Sequence, residues 1–309
     1  MVDATMTSFV LPQFGIFAQG THAHHFLEFD LVPGTTPAEA IEAFRRLRTP
    51  DVSAGGVNLV IAFGADAFRA LAPGRAPDDL AAFAPVAGSA GHGAPATQHD
   101  AWLWISGAEP DVTWQSARVV AELLRSVARV GAEQQAFTYR GGRDITGFID
   151  GTANPQVRRA SDVALVPFGR AGEGGSHVLA MRWVHDLAAF NALSVTDQEH
   201  VFGRTKADSV ELSPERKPAN AHIARVETSV DGNELEIFRR SVPYGTAEEY
   251  GLYFVAFSAA RSRFDRMLSR MFGNDGPRDR LTDFSRPVTG AYYFAPSLTA
   301  LNELAGQAS

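Results

Sequence analysis

Apolar and polar residues alternate along His24–Leu31 (H-H-F-L-E-F-D-L), the two-residue period of a half-buried strand. Thr36-Pro37-Ala38-Glu39 then opens a helix. Thr36 can cap the first turn, Pro37 suits the first helical position, and Glu39 completes a capping box. This helix is expected to run to about Arg48. Asn58–Phe63 (N-L-V-I-A-F) reads as a buried strand, Ala65–Leu71 as a short helix, and Ala101–Ser106 (A-W-L-W-I-S) as another strand. Asp111–Val130 has the spacing of a long amphipathic helix, with Val119, Leu123 and Val127 among its apolar positions. Gln134–Tyr139 closes this half as a strand. The order is β-α-β-β-α-β.

The second half repeats that order without sequence identity to the first. His177–Leu187, Glu234–Val242, Leu252–Ser258 and Gly290–Phe294 have strand patterns; Thr196–Arg204 and Arg261–Phe272 have helical ones. This is the split order of a ferredoxin-like unit. The expected fold is α+β: two ferredoxin-like units in tandem, each an antiparallel sheet with helices on one face. The units, residues 1–145 and 146–309, can pack sheet on sheet or leave a cleft. The seam, Arg140–Arg159, carries four glycines and one proline but also Ile145, Phe148 and Ile149. A connector both Gly-rich and apolar is expected to pack against something. Ala87–Ala96 (A-G-S-A-G-H-G-A-P-A) is a better candidate for a mobile loop.

Composition narrows the function. With 309 residues, 45% hydrophobic and 20% charged, the chain has an ordinary globular balance. A formal charge of −7 argues against sequence-independent nucleic-acid binding, which needs a basic patch. The absence of cysteine excludes disulfides, zinc–thiolate sites, iron–sulfur clusters and cysteine nucleophiles. No apolar run is long enough for a membrane span. The first ten residues show no basic stretch or twin arginine, so a cytoplasmic location is expected.

Three short stretches could carry chemistry. Asp150 lies in G-F-I-D-G between Gly147 and Gly151; flanking glycines let backbone approach a flat ligand, although Asp-Gly is also a common turn. His222 lies in N-A-H-I-A-R-V-E, one of nine histidines. Arg239 and Ser241 lie in R-R-S-V-P-Y-G at a predicted strand end. Strand alternation puts them on one face and leaves Arg240 solvated if Arg239 points inward.

Together, G-F-I-D-G-T-A-N-P, His222 and R-R-S-V-P-Y-G resemble the dye-decolourising peroxidases. F-G-R-T-K at 202–206 and F-S-R-P-V-T-G-A-Y-Y-F-A-P-S at 284–297 carry the same resemblance, which runs from the first strand to Ser297. The short loops resemble the compact bacterial branch. The resemblance implies one haem b per chain, held by the C-terminal half, with His222 as the iron ligand. The second ring nitrogen of His222 then needs a carboxylate or carbonyl partner. Asp283, in L-T-D-F-S-R-P, is the candidate, with a helix cap or turn as its other reading. Asp150 and Arg239 would lie on the opposite face of the haem with Ser241 beside them, and Gly151 would line it. Arg204 would meet a haem propionate, ahead of Lys206. The implied activity is reduction of hydrogen peroxide through a ferryl intermediate, with electrons from small aromatic one-electron donors such as dyes or phenolics. Partners beyond these are expected to be further copies of the chain, with no nucleic acid and no membrane.

Three other readings use parts of the same pattern: a haem carrier or sensor, a protein that removes iron from haem, and a haem-free binding module. A carrier needs His222 but has no use for Asp150 beside Arg239. Thr21-His22-Ala23-His24-His25 could bind metal but reads better as a polar strand edge. Trp102 and Trp104 share a strand face and read as core. No Gly-rich phosphate loop and no G-x-S-x-G is present.

Overall fold

The alternation along residues 24–31 produces β1 (Ala23–Leu31), and the expected capping box opens α1 (Pro37–Arg45). The structure is a computed structural model that describes residues 10–47, 56–227, 229–230 and 233–306. Arg48, the expected end of α1, lies outside them. β2 (Asn58–Phe63), α2 (Ala65–Leu71), β3 (Ala101–Gly107), α3 (Pro110–Leu124) and β4 (Ala128–Phe137) complete the first unit. Its strands pair antiparallel in the order β2-β3-β1-β4.

The second unit follows α4 (Val157–Ala164). It comprises β5 (Ser176–His185), α5 (Leu187–Asn191), α6 (Val195–Phe202), α7 (His222–Val226), β6 (Phe238–Arg239) and β7 (Val242–Gly245). β8 (Tyr250–Ser258), α8 (Ser262–Met271), β9 (Ala291–Ala295) and α9 (Leu298–Gly306) complete it. β6 and β7 flank β8, which pairs with β5, which pairs with β9. Phe294 of β9 bridges to Phe63 of β2, so the two units form one ten-stranded sheet, the tenth strand being the short return Ser285–Pro287 against β5. The sheets also face each other. Phe26, Trp102 and Trp104 from one side meet Tyr253, Phe257 and Tyr293 from the other, and the Phe26 and Tyr253 rings stack at 4.0 Å. Of the two packings open to the sequence, the molecule takes sheet on sheet.

Strand alternation then assigns the remaining faces. On β8, Tyr253, Val255 and Phe257 point into this shared core, while Leu252, Phe254 and Ala256 point out the other side. On β5, Leu179, Met181 and Trp183 join that outer face, which α8 covers with Phe264 and Leu268. The outer face of the second sheet is where the cavity described below opens. β8 comes close enough to β5 at Gly251 that a Cβ there would sit 1.8 Å from the Trp183 carbonyl oxygen. Gly251→Ala is expected to lower stability by about 3 kcal/mol, read as a lower denaturant midpoint with an unchanged slope.

The structure departs from expectation in three stretches. α3 ends at Leu124 rather than near Val130, and β4 begins at Ala128. Thr113, Ala117, Val120 and Leu124 face inward, while Val119 and Leu123 are exposed. β4 runs the length of β1, from Ala128 opposite Leu31 to Phe137 opposite Ala23, and this pairing outweighs helical propensity. Secondly, Glu234–Val242 is not one strand. It breaks between β6 and β7 without a change of register on β8: Arg240 N–H donates to the Val255 carbonyl at 2.8 Å, but Val255 N–H donates to Ser241 Oγ at 3.2 Å and so leaves the ladder. Thirdly, Ala87–Ala96 is a short hairpin, Val86–Ala87 against Gly93–Ala94. Ser89 N–H is bonded to the Phe272 carbonyl at 3.0 Å. The seam around Phe148 is packed as expected, its ring stacked 4.0 Å from Phe202. His24 and His25 are buried rather than on a polar edge, and burial drives the His24 imidazole down to about 3. No helix among the described residues is long and apolar enough to cross a membrane.

Candidate active site

A cavity of about 610 Å³ lies between the outer face of the second sheet, α7, α8 and the seam loop. Met181 and Trp183 of β5 and Leu252 and Phe254 of β8 form its apolar floor. Asp150, Gly151, Arg204, His222 and Arg239 all lie on its walls. Residues far apart in sequence thus meet at one pocket, its apolar floor faced by convergent charged and polar groups.

The seam loop delivers Asp150. Arg143 bridges to Tyr139 and Ile149, and Asp150 N–H donates to the Gly142 carbonyl at 3.0 Å, closing a tight ring. Gly151 takes φ +76°, a left-handed conformation glycine adopts freely, and its N–H donates to Asp150 Oδ1 at 2.6 Å. Burial pushes the Asp150 carboxyl above the usual aspartate range. The Arg239 charge and the Gly151 N–H pull it down, while Asp144 pushes it up further.

Asn154 places Arg239. Its Oδ1 accepts the Arg239 N–H and its Nδ2 donates to the Arg239 carbonyl, both at 2.9 Å. This two-sided grip fixes β6 against the seam. Nothing in the sequence reading singled out Asn154, although it stands in the same G-T-A-N-P motif.

His222 begins α7. Its Nδ1 lies 2.6 Å from Asp279 Oδ2. The expected carboxylate partner was Asp283, and here the structure corrects the reading. Asp283 pairs with Arg278 near the surface, whereas Asp279 is fully buried. Asp279 caps the short helix Arg280–Asp283, its Oδ1 accepting the Leu281 N–H at 2.8 Å, and this cap turns Oδ2 toward His222. His222 Nε2 has no hydrogen-bond partner among the described residues.

Two further readings are corrected. Ser241 shares the Arg239 face in register but does not line the cavity, its hydroxyl accepting from the Val255 N–H. Arg240 is not solvated. Its guanidinium donates to the carbonyls of Ile16 and Ala18 and lies 5.3 Å from the Trp104 ring centroid. Burial lowers it to about 10. Lys206 is also turned away, its Nζ donating to Gln198 Oε1 at 2.6 Å. Arg204, by contrast, reaches the cavity. It meets Glu227 at 3.4 Å and Glu211 at 3.8 Å, and its buried Nε has no partner among the described residues.

Known proteins share this layout. The family model for the N-terminal part of Dyp-type peroxidases matches residues 13–138, and that for the C-terminal part matches 141–300. A dye-decolorizing peroxidase of Mycolicibacterium paratuberculosis is 37% identical over 253 residues, 80% of this chain and 71% of that protein. The dye-decolorizing protein of V. cholerae superposes with a TM-score of 0.84 at 31% identity, covering 94% of this chain and 98% of its own. A DypB variant from Rhodococcus jostii RHA1, solved in complex with heme, has a TM-score of 0.84 at 31% identity over 93% of this chain and 96% of its own. This chain belongs to the Dyp-type peroxidase family.

Proposed function

We propose that this chain is a haem b peroxidase that reduces hydrogen peroxide and draws two electrons, one at a time, from small aromatic donors. The observation that carries the reading is the His222–Asp279 couple sharing one cavity with Asp150 and Arg239. The residues fit haem. His222 offers an unpartnered Nε2, Asp279 holds the other ring nitrogen, and the floor is apolar and aromatic. Arg204 donates to the Ser209 carbonyl at 3.0 Å, yet its buried Nε has no partner among the described residues, and a propionate would supply one.

Bound haem supplies the iron at which peroxide is reduced. The protein's part follows from its own groups. His222 would hold the iron through Nε2. A buried carboxylate accepting from Nδ1–H fixes the ring and makes it a stronger donor. Asp150, when ionised, takes the proton from one peroxide oxygen and returns it to the other, which leaves as water. Arg239 stabilises the negative charge that develops as the O–O bond breaks. The balance is H₂O₂ with two protons and two electrons giving two waters.

We divide the chain at residue 145, with the haem-binding unit in 146–309 and Asp144 at the seam. The reading extends to a homo-oligomer, supported by exposed Val112, Trp114, Val119 and Leu123 on α3.

Stopped-flow absorbance of the haem-loaded protein with hydrogen peroxide tests the function. A fast spectral change in wild type, slowed in Asp150→Ala and in Arg239→Ala, is expected. Bleaching at one equal rate in all three would overturn the reading in favour of a carrier or sensor. Arg204→Ala is expected to weaken haem retention about tenfold, the worth of one charge-assisted hydrogen bond, measured as faster transfer of haem to apomyoglobin.

A further inference from the structure

Asp144, His185 and Ser285 form a hydrogen-bonded row on the cavity wall, and the chemistry above does not use it. Asp144 Oδ1 lies 3.2 Å from His185 Nε2, and His185 Nδ1 lies 2.8 Å from Ser285 Oγ. All three side chains belong to buried residues, at 8%, 9% and 4% exposure. The fold places them with care. Ser285 stands opposite His185 in strand register, and Asp144 opens the same loop that ends in Asp150. The Arg143 guanidinium ties that loop to the Gly147 and Lys206 carbonyls at 2.7 and 3.0 Å, so the two carboxylates are held in a fixed relation.

We propose that the Asp144–His185 pair, steadied by Ser285, sets the charge against which Asp150 binds its proton, and so sets the pH at which this pocket has a base. The inference rests on the reading of Asp150 as that base. Two carboxylates facing one apolar cavity resist both being charged. Asp144 is the better held of the two. Besides His185 it accepts the Thr146 N–H at 2.8 Å and the Thr146 hydroxyl at 2.5 Å, whereas Asp150 has the Gly151 N–H. Burial works against charge on Asp144, yet His185 and Thr146 outweigh it and hold Asp144 below the usual range while Asp150 stands above it. The row can also take up a proton without losing a bond. Ser285 can donate to Nδ1 of a neutral ring or accept from an imidazolium, while Nε2–H donates to Asp144 in both states.

Other charges face the same space. Arg239 acts on Asp150 from β6, and His222 stands on α7 with Asp279 behind it. Arg204, Glu211 and Glu227 line the cavity between α6 and the segment after α7, and Glu234 and Glu236 line it ahead of β6. Among the described residues none of these bonds to the row, so a substitution in the row changes Asp144 without disturbing their contacts.

The test follows Asp150 directly. The full chain, labelled with carboxyl-carbon-13 aspartate, is titrated by NMR, with Asp150→Asn assigning the signal. Asp144→Asn is expected to lower the proton affinity of Asp150 about tenfold, since a nearby like charge is removed. His185→Gln, which takes away the ring that balances the Asp144 carboxylate, is expected to raise it. Ser285→Ala is expected to move it the same way by less, and decides the sign if His185→Gln does not fold. Opposite signs for Asp144→Asn and the other two are the signature, because general damage gives one sign. An inflection unmoved in Asp144→Asn, or moved in one direction by all, overturns the proposal. On the haem-loaded chain, the acid limb of cyanide association should move with the same signs. The carbon-13 readout needs no haem, so a chain that fails to take up haem would count against the proposed function and not against this inference.

Discussion

His222→Ala is expected to cost the protein its hold on haem, with retention falling more than about a hundredfold. Loss of an outer-shell partner alone costs a metal site about 10–100-fold, and here the ligand itself is removed. Two features of the structure make the expectation sharp. His222 begins α7, and its ring is fixed by the Nδ1 contact to Asp279, so no second histidine can swing into the same place without rebuilding that turn. Its ring is also held edge-on to Phe202, at 6.2 Å between centroids. Haem transfer to apomyoglobin gives the retention, and the ferric absorption spectrum reports the ligand. Imidazole added to the buffer should restore part of the wild-type spectrum, because the space left by the side chain lies on the cavity wall. Asp279→Asn keeps the ring and the cap but weakens the acceptor on Nδ1, so its spectrum should shift and retention should fall by about 10–100-fold, less than in His222→Ala. An unchanged spectrum and unchanged retention in His222→Ala would remove His222 from the site and the proposed function with it.

How far this site could be read from sequence depends on what each residue needs from the fold. The apolar strands were legible because a buried strand carries its period in the chain itself. β2 and α2 stand at the expected bounds for that reason. The end of α3 was not legible. Its surface keeps Val112, Trp114, Val119 and Leu123, so apolar periodicity there points to the wrong face, while β4 is an edge strand with a polar sequence and little period of its own.

The carboxylates show the same division. Asp150 stands out in sequence because its glycines are local. Asp279 and Asp283 lie one turn apart in R-D-R-L-T-D, and only the short helix that Asp279 caps decides which reaches His222. Ser241 keeps the face that its two-residue period gives it, but its hydroxyl is taken up by the Val255 N–H, which no local pattern announces. The Asp144–His185–Ser285 row was invisible because its members come from the seam, β5 and a returning strand, brought together by register alone.

Asp150→Ala is expected to slow the reaction with hydrogen peroxide by about 10²–10⁴ at neutral pH, the usual contribution of a positioned general base. The pH dependence distinguishes this from simple damage. Burial has raised Asp150 above the ordinary carboxylate value of about 3.9. The wild-type rate should therefore fall in acid at a pH above that value, while Asp150→Ala should be slow and flat through the same range. Arg239→Leu removes the charge that partly offsets burial. Its acid limb should lie at still higher pH, with a further loss of about 10²–10³ from the missing stabilisation of developing charge. Linkage supplies an independent check with no peroxide present. A carboxyl raised on folding binds its proton more tightly in the folded state, so stability falls as pH climbs from the unfolded value through the folded one. Above that window the ionised Asp150 opposes folding, and Asp150→Asn should melt higher than wild type at neutral pH, with the gain vanishing in acid. A variant that is slower yet no more stable at neutral pH would mean that Asp150 is not the strained, proton-hungry group its burial among apolar walls makes it.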